Sequence, residues 1–211
     1  MTTCAEWLDD KSNQFGETTM VYKIKDLALL TIETTTGKAK ALLENAKQKF
    51  GFVPNMYGAM AHEPALFEAY ANGYIAFRAE CGFTPSEQEV IFLAISRYNG
   101  CDYCMAAHSF IADMMSKVPV DVTDAIRDGR PIDDARLAAL AQFTSKMVDS
   151  RGRPEETDVA AFKAAGFTEK NILGVILAIS VKTLSNYTNH VFDTPLDATF
   201  SSRAWKAAAR G

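Results

Sequence analysis

The sequence has no apolar run long enough to span a bilayer. The longest, Ile172 to Val181, is about ten residues and is interrupted by Gly174 and Ser180. There is no cluster of lysine and arginine, and 22 basic residues against 26 acidic ones leave a net charge of −4. That balance argues against a nucleic-acid or anionic-membrane partner. Met1 to Asp10 is polar and acidic, so no secretory leader is expected and a soluble cytoplasmic protein is. Alternating apolar and polar residues, the mark of half-buried strands, are scarce. Cysteine is scarce as well: Cys4, Cys81, Cys101 and Cys104 make no disulfide framework, and a Cys-x-x-Cys pair in a reducing compartment points to redox or metal chemistry.

With 211 residues, 48% hydrophobic and 23% charged, the chain can enclose one sizeable core. Residues 1–35 show no sustained period beyond an extended piece at Met20 to Ile24 and read as an N-terminal arm. Helical spacing begins at Gly37 to Phe50 and returns near Asn55 to Ala61, then from Glu63-Pro64 to Gly82. Thr84-Pro85-Ser86-Glu87 is a capping box, opening a helix that is apolar nearly all round and breaks at Asn99-Gly100. A helix to about Ser116 follows, then others at Asp121 to Asp128, Asp134 to Asp149, Pro154 to Ala165 and Thr168 to Phe192. A helical tail is expected from Arg203. The fold class is all-α, with one domain over 36–197 and a C-terminal tail over 198–211.

Chemistry concentrates in Asn99-Gly100-Cys101-Asp102-Tyr103-Cys104-Met105-Ala106-Ala107-His108. At ~100° per residue Cys101, Cys104 and His108 share one helix face. Thiols three residues apart can close a disulfide, and His108 can reach Cys104 as a base or counter-charge. The first turn of a helix favours Cys101 as the more acidic thiol, while the spacing of His108 favours Cys104, so spacing leaves the attacking sulfur open. Glu89 lies early in the preceding helix. Periodicity favours a solvent-facing residue there. Facing inward, it would need a partner, and a buried acid shifted toward neutral pKa makes a good proton relay.

A shift of 84 residues places Gly82-Phe83-Thr84 on Gly166-Phe167-Thr168, Leu93-Ala94-Ile95-Ser96 on Leu177-Ala178-Ile179-Ser180, and Tyr103 on Tyr187. We read this as an internal helical repeat. The second copy has Leu173, Leu184, Ser185 and Thr188 where the first has Glu89, Gly100, Cys101 and Cys104, which confines the chemistry to the first copy.

Glu89, Cys101 after eleven intervening residues and then Cys-x-x-Cys-x-x-x-His resemble the AhpD-like alkylhydroperoxidase branch of the carboxymuconolactone decarboxylase superfamily. Phe50-Gly51-Phe52-Val53-Pro54-Asn55 and Asn189-His190-Val191-Phe192-Asp193-Thr194-Pro195-Leu196-Asp197 are similar to its peroxidase-related members. The resemblance runs from Lys38 to Asp197. It implies an all-α AhpD-like fold assembled as a homo-oligomer (dimer, trimer or hexamer), a small hydroperoxide substrate, a thiol or dithiol reductant, and no cofactor or metal. It further implies Cys104 as the peroxidatic thiol, Cys101 as proton donor and resolving thiol, a Cys101–Cys104 disulfide, and Glu89 with His108 as proton relay. Tyr103 stands where better-known members carry an additional histidine.

Other readings compete. Cys101, Cys104 and His108, with Glu89 or His190 as fourth ligand, could bind zinc; the fold also hosts lactone decarboxylases, whose chemistry does not rely on a thiol pair; and a disulfide could merely switch assembly of a non-catalytic protein. Cys81 reads as a small buried apolar residue, Cys4 as incidental and His62 as a cap or surface residue. His190 reads as a polar interface residue, and Met105, Met114 and Met115 as core filler.

Overall fold

The computed structural model describes residues 22–207. Cys4 and most of the arm lie outside that range, as does Met20 of the extended piece. The described residues are all-α, with no strand among them. In chain order the helices are α1 (Gly37–Phe50), α2 (Asn55–Met60), α3 (Pro64–Glu80), α4 (Pro85–Asn99), α5 (Asp102–Ile111), α6 (Val120–Asp128), α7 (Ala135–Asp149), α8 (Glu156–Ala164) and α9 (Glu169–Phe192). Among the described residues no single helix is long and apolar enough to cross a membrane.

α4 is the axis of the molecule. Thr84 and Glu87 exchange the reciprocal hydrogen bonds of a capping box, with Pro85 in the first turn. Every residue from Glu87 to Ser96 is buried, because α5, α6, α7 and α9 surround the helix and Phe77 and Arg78 of α3 reach it. α9 also opens on a threonine capping box, with Thr168 and Asn171, but runs unbroken through Leu184 for 24 residues. One apolar cluster gathers Phe92, Leu93, Phe143, Phe162 and Phe167 around α4, α7 and α9. A second gathers Leu43, Met60, Phe67, Cys101 and Cys104 around α1, α2 and α5. The thiols belong to the second cluster, and His108 lies against Phe92 of the first, with ring centroids 4.8 Å apart.

Residues 22–36 pack against their own chain. Ile24 N donates to the Val191 carbonyl (2.7 Å), Lys23 Nζ to the His190 carbonyl (2.7 Å) and Leu30 N to the Gly58 carbonyl (3.2 Å). That last crossing needs a glycine, since a Cβ on Gly58 would lie 2.7 Å from the Leu30 carbonyl oxygen.

Three expectations are corrected. Met105 is in the core, but Met114 and Met115 are 68% and 71% exposed. After Ile111 the helix widens into a π turn, Ala112–Ser116, so the α-helical period that would turn these residues inward no longer holds. Cys81 is only half-buried, at the C-terminal end of α3. No helix begins at Arg203. A 3₁₀ turn spans Ala198–Arg203 and irregular chain continues to Ala207. The segment is held by tertiary bonds in place of helical ones: Arg203 Nη2 to Asp124 (2.7 Å), Trp205 Nε1 to the Arg127 carbonyl (3.1 Å) and Ala207 N to Asp102 Oδ1 (2.9 Å).

Candidate active site

The break between α4 and α5 places the thiols. Gly100 adopts the left-handed conformation (φ 68°) and donates to the Arg97 carbonyl, while Cys101 N donates to the Ser96 carbonyl (2.9 Å). The chain turns, and Cys101 becomes the N-cap of α5. One helical turn later Cys104 points the same way, and His108 follows on the next turn. The structure brings together all four candidate residues, Glu89, Cys101, Cys104 and His108, and all are buried.

Glu89 is fully enclosed at 0% exposure, against the solvent-facing position that periodicity favoured. Its Oε2 accepts from His108 Nδ1 (2.8 Å) and its Oε1 from Arg78 Nη2. Arg78 also donates to the Tyr74 hydroxyl (2.7 Å) and to Gln88 Oε1 (3.1 Å), and its guanidinium lies over the rings of Tyr74 and Phe92. Burial pushes the Glu89 carboxyl up, but His108 and then Arg78 outweigh it and hold the group below the usual carboxylate range. The expectation of a buried acid shifted toward neutrality is therefore corrected: Glu89 is a carboxylate. Burial, reinforced by Lys182, overcomes the pull of Glu89 and lowers His108, favouring the neutral ring. An ionised carboxylate can only accept, so Nδ1 carries the proton and Nε2 keeps a free lone pair.

The two thiols are driven apart. Burial, then its neighbour Cys104, push the Cys101 thiol well above the ordinary value. Burial also raises Cys104, but a hydrogen bond from Cys101, with Lys182 and His108 beside it, takes that thiol well below the ordinary value. The expectation that a helix N-terminus makes Cys101 the more acidic thiol fails, because Cys101 is sealed in and its proton is committed to Cys104. Asn189 Nδ2 spans the pair, 3.3 Å from Cys104 Sγ and 3.8 Å from Cys101 Sγ, and Ser185 Oγ lies 3.9 Å from Cys104.

A cavity of about 610 Å³ meets this cluster. Cys104, His108, Arg78 and Lys182 are among its polar groups, and Phe52, Tyr57 and Phe200 are among its aromatic walls. Cys101 does not line it. The accessible sulfur is Cys104, with Cys101 behind.

Tyr103 is turned away from the thiols, its hydroxyl donating to Asp197, whose carboxylate accepts from Asn55 N at the start of α2 (3.2 Å). His62 Nε2 meets the Ala28 carbonyl (2.7 Å). Among the described residues no group of three or more His, Cys, Asp and Glu side chains is arranged to hold a metal ion. The zinc ligand set is therefore not assembled.

Sequence reasoning missed Arg78, Lys182 and Asn189 as parts of the site. A lone lysine directly after the apolar run ending at Val181 was a usable signal for Lys182. Asn189 stood inside a recognised segment without a role, and nothing local marked Arg78.

This all-α fold, with a Cys-x-x-Cys pair at a helix break, has clear relatives. Residues 64–145, from the start of α3 into α7, match the carboxymuconolactone decarboxylase family model. Over that stretch the chain is similar to the carboxymuconolactone decarboxylase family. It is similar to an uncharacterized peroxidase-related protein with an alkylhydroperoxidase AhpD core from Ralstonia eutropha JMP134 (TM-score 0.73, 24% identity, covering 85% of this chain and 96% of that one). An uncharacterized peroxidase-related protein from Silicibacter sp. TM1040 aligns with a TM-score of 0.69 at 20% identity, over 87% of this chain and 98% of that one. The debrominase Bmp8, in complex with 2,3,4-tribromopyrrole, aligns with a TM-score of 0.71 at 17% identity, over 87% and 97%. At such identities the likeness establishes the shared fold. No match was found among the curated proteins.

Proposed function

We propose that the protein is a thiol-dependent hydroperoxidase acting through Cys104 and Cys101. The observation that carries this reading is the asymmetry of the pair: the thiol drawn down is the one on the cavity wall, and the thiol pushed up lies sealed behind it. The Cys104 thiolate attacks the outer oxygen of a hydroperoxide, ROOH. The O–O bond breaks, Cys104 becomes a sulfenic acid and RO⁻ takes a proton to leave as ROH. Cys101 then attacks the sulfenic sulfur, releasing water and closing the disulfide. A dithiol reductant restores both thiols, as a reducing, cytoplasmic setting would allow. In this scheme His108 Nε2 accepts and returns the mobile proton, while ionised Glu89, anchored by Arg78, holds the ring in the required tautomer. A homo-oligomer is part of the proposal.

The test is consumption of cumene hydroperoxide with dithiothreitol. Turnover should disappear in Cys104→Ser, and stoichiometric peroxide should yield a Cys101–Cys104 disulfide by peptide mass spectrometry. A wild-type rate no higher than that of Cys104→Ser would overturn the proposal.

The aromatic walls favour a second reading, reductive dehalogenation of a halogenated ring. There the two thiols supply two electrons, the carbon–halogen bond is replaced by carbon–hydrogen, and halide leaves as the disulfide forms. Halide release from a bromoarene, without hydroperoxide loss, would select it.

A further inference from the structure

Lys182 takes no part in the proton and sulfur steps above, yet it sits inside the site. It lies in the middle of α9, 1% exposed, on the wall of the cavity that holds Cys104 and His108. Its Nζ has no ion pair and no oxygen or nitrogen hydrogen-bond partner among the described residues; it lies beside the Cys104 thiol and 5.5 Å from the Phe92 ring centroid. One aromatic face compensates an enclosed ammonium only in part.

The neighbouring charges are otherwise accounted for. Glu89 has one oxygen on Arg78 and the other on His108. Asp197 is engaged by Tyr103 and by the start of α2. Burial raises Tyr57, Tyr70 and Tyr74 and keeps these phenols neutral, and Cys101 keeps its proton. With Arg78 matched to Glu89 and His108 neutral, one positive charge is left over, and one group beside it can become an anion.

We propose that Lys182 is the built-in counter-charge of the Cys104 thiolate, and that it sets how readily the Cys101–Cys104 disulfide is reduced. The proposal rests on the reading of Cys104 as the reactive sulfur. In the reduced protein the ammonium and thiolate neutralise each other. When the disulfide closes, Cys104 loses its charge and the ammonium stays buried without a partner. That penalty falls on the oxidised state alone, so the disulfide is the more easily reduced, as in any dithiol whose reduced form is selectively stabilised. A dithiol R(SH)₂ supplies two electrons, becoming RS₂, while Cys101 gains a proton, Cys104 is released as thiolate and one proton goes to solvent. The lysine rises from α9 and the thiols from the α4–α5 break, so the two halves of the chain contribute opposite charges to one site.

The test uses the full chain with Lys182→Met and Lys182→Arg. The first readout is the pH dependence of Cys104 alkylation by iodoacetamide, resolved by peptide mass spectrometry. The second is the position of the thiol–disulfide equilibrium in dithiothreitol buffers. In Lys182→Met the alkylation midpoint should rise by at least one pH unit. The equilibrium constant for reduction should fall at least tenfold, about 30 mV toward more negative potential. Lys182→Arg should retain most of both values. Unchanged values in Lys182→Met would overturn the proposal, as would equal changes in both variants. If Lys182→Met does not accumulate folded, Lys182→Gln carries the same expectation. Neither readout needs peroxide turnover: a wild type inert toward hydroperoxides but showing these shifts refutes the proposed function and leaves this inference standing.

Discussion

Glu89→Gln separates what a carboxylate does at this position from what its shape does. Both Glu89 oxygens accept charge-assisted or buried hydrogen bonds, from Arg78 and from His108 Nδ1 (2.8 Å), and the side chain is fully enclosed. Glutamine keeps the volume but has one acceptor oxygen and a donor amide. Whichever partner meets the amide faces donor against donor. Arg78 cannot give up its proton, so its bond takes the oxygen, and His108 must turn Nδ1 into the acceptor and move its proton to Nε2. The ring then loses its base on the far side. Breaking a buried pair costs about 3–5 kcal/mol when a charge is left behind. Arg78 remains 20% exposed and stays bonded to Tyr74 and Gln88, which favours the lower part of that range. For a chain of this size each kcal/mol moves Tm by about 2–4 °C, so a fall of roughly 6–12 °C is expected. Hydroperoxide turnover should drop by about 10²–10⁴-fold, the worth of a positioned general base. Circular dichroism melting and peroxide consumption at saturating reductant measure the two effects. A Tm within 1 °C of wild type, or turnover within threefold, would refute the charge-pair account of Glu89.

The reduced protein should gain stability with rising pH in three windows. Glu89 and His108 are both lowered by folding; their contributions are present above the unfolded values of about 4.3 and 6.5 and are lost as pH falls through the folded ones. Cys104, lowered further, adds stability up to the unfolded thiol value of about 8.5, a rise that should be missing from urea titrations of Cys104→Ser. Above that pH the raised Cys101 acts in the opposite direction. Cys101→Ser should stop the cycle at the sulfenic acid, detected as a dimedone adduct on Cys104 after one equivalent of hydroperoxide. Gly174→Ala should destabilise the protein by about 1–3 kcal/mol in chemical denaturation, because its Cβ would lie 2.9 Å from Phe83 and 3.2 Å from the Cys81 Cβ.

Much of this molecule could be read without a structure. Caps and breaks are local: Thr84 with Glu87, Thr168 with Asn171, and a left-handed Gly100 bounded helices in three dimensions as their residue types predict. The Cys-x-x-Cys-x-x-x-His spacing put three groups on one face because helix geometry is the same everywhere. What the sequence could not decide was anything set by enclosure. α4 has no polar stripe, since helices cover it on every side, so the solvent-facing position that periodicity favoured for Glu89 was wrong. Which thiol is acidic depended on Cys101 lying behind Cys104 and on Lys182, about eighty residues away on α9. Spacing along a chain reports neighbours on one helix; charge balance in a buried site is a sum over every element that packs against it, and only the tertiary structure supplies that sum.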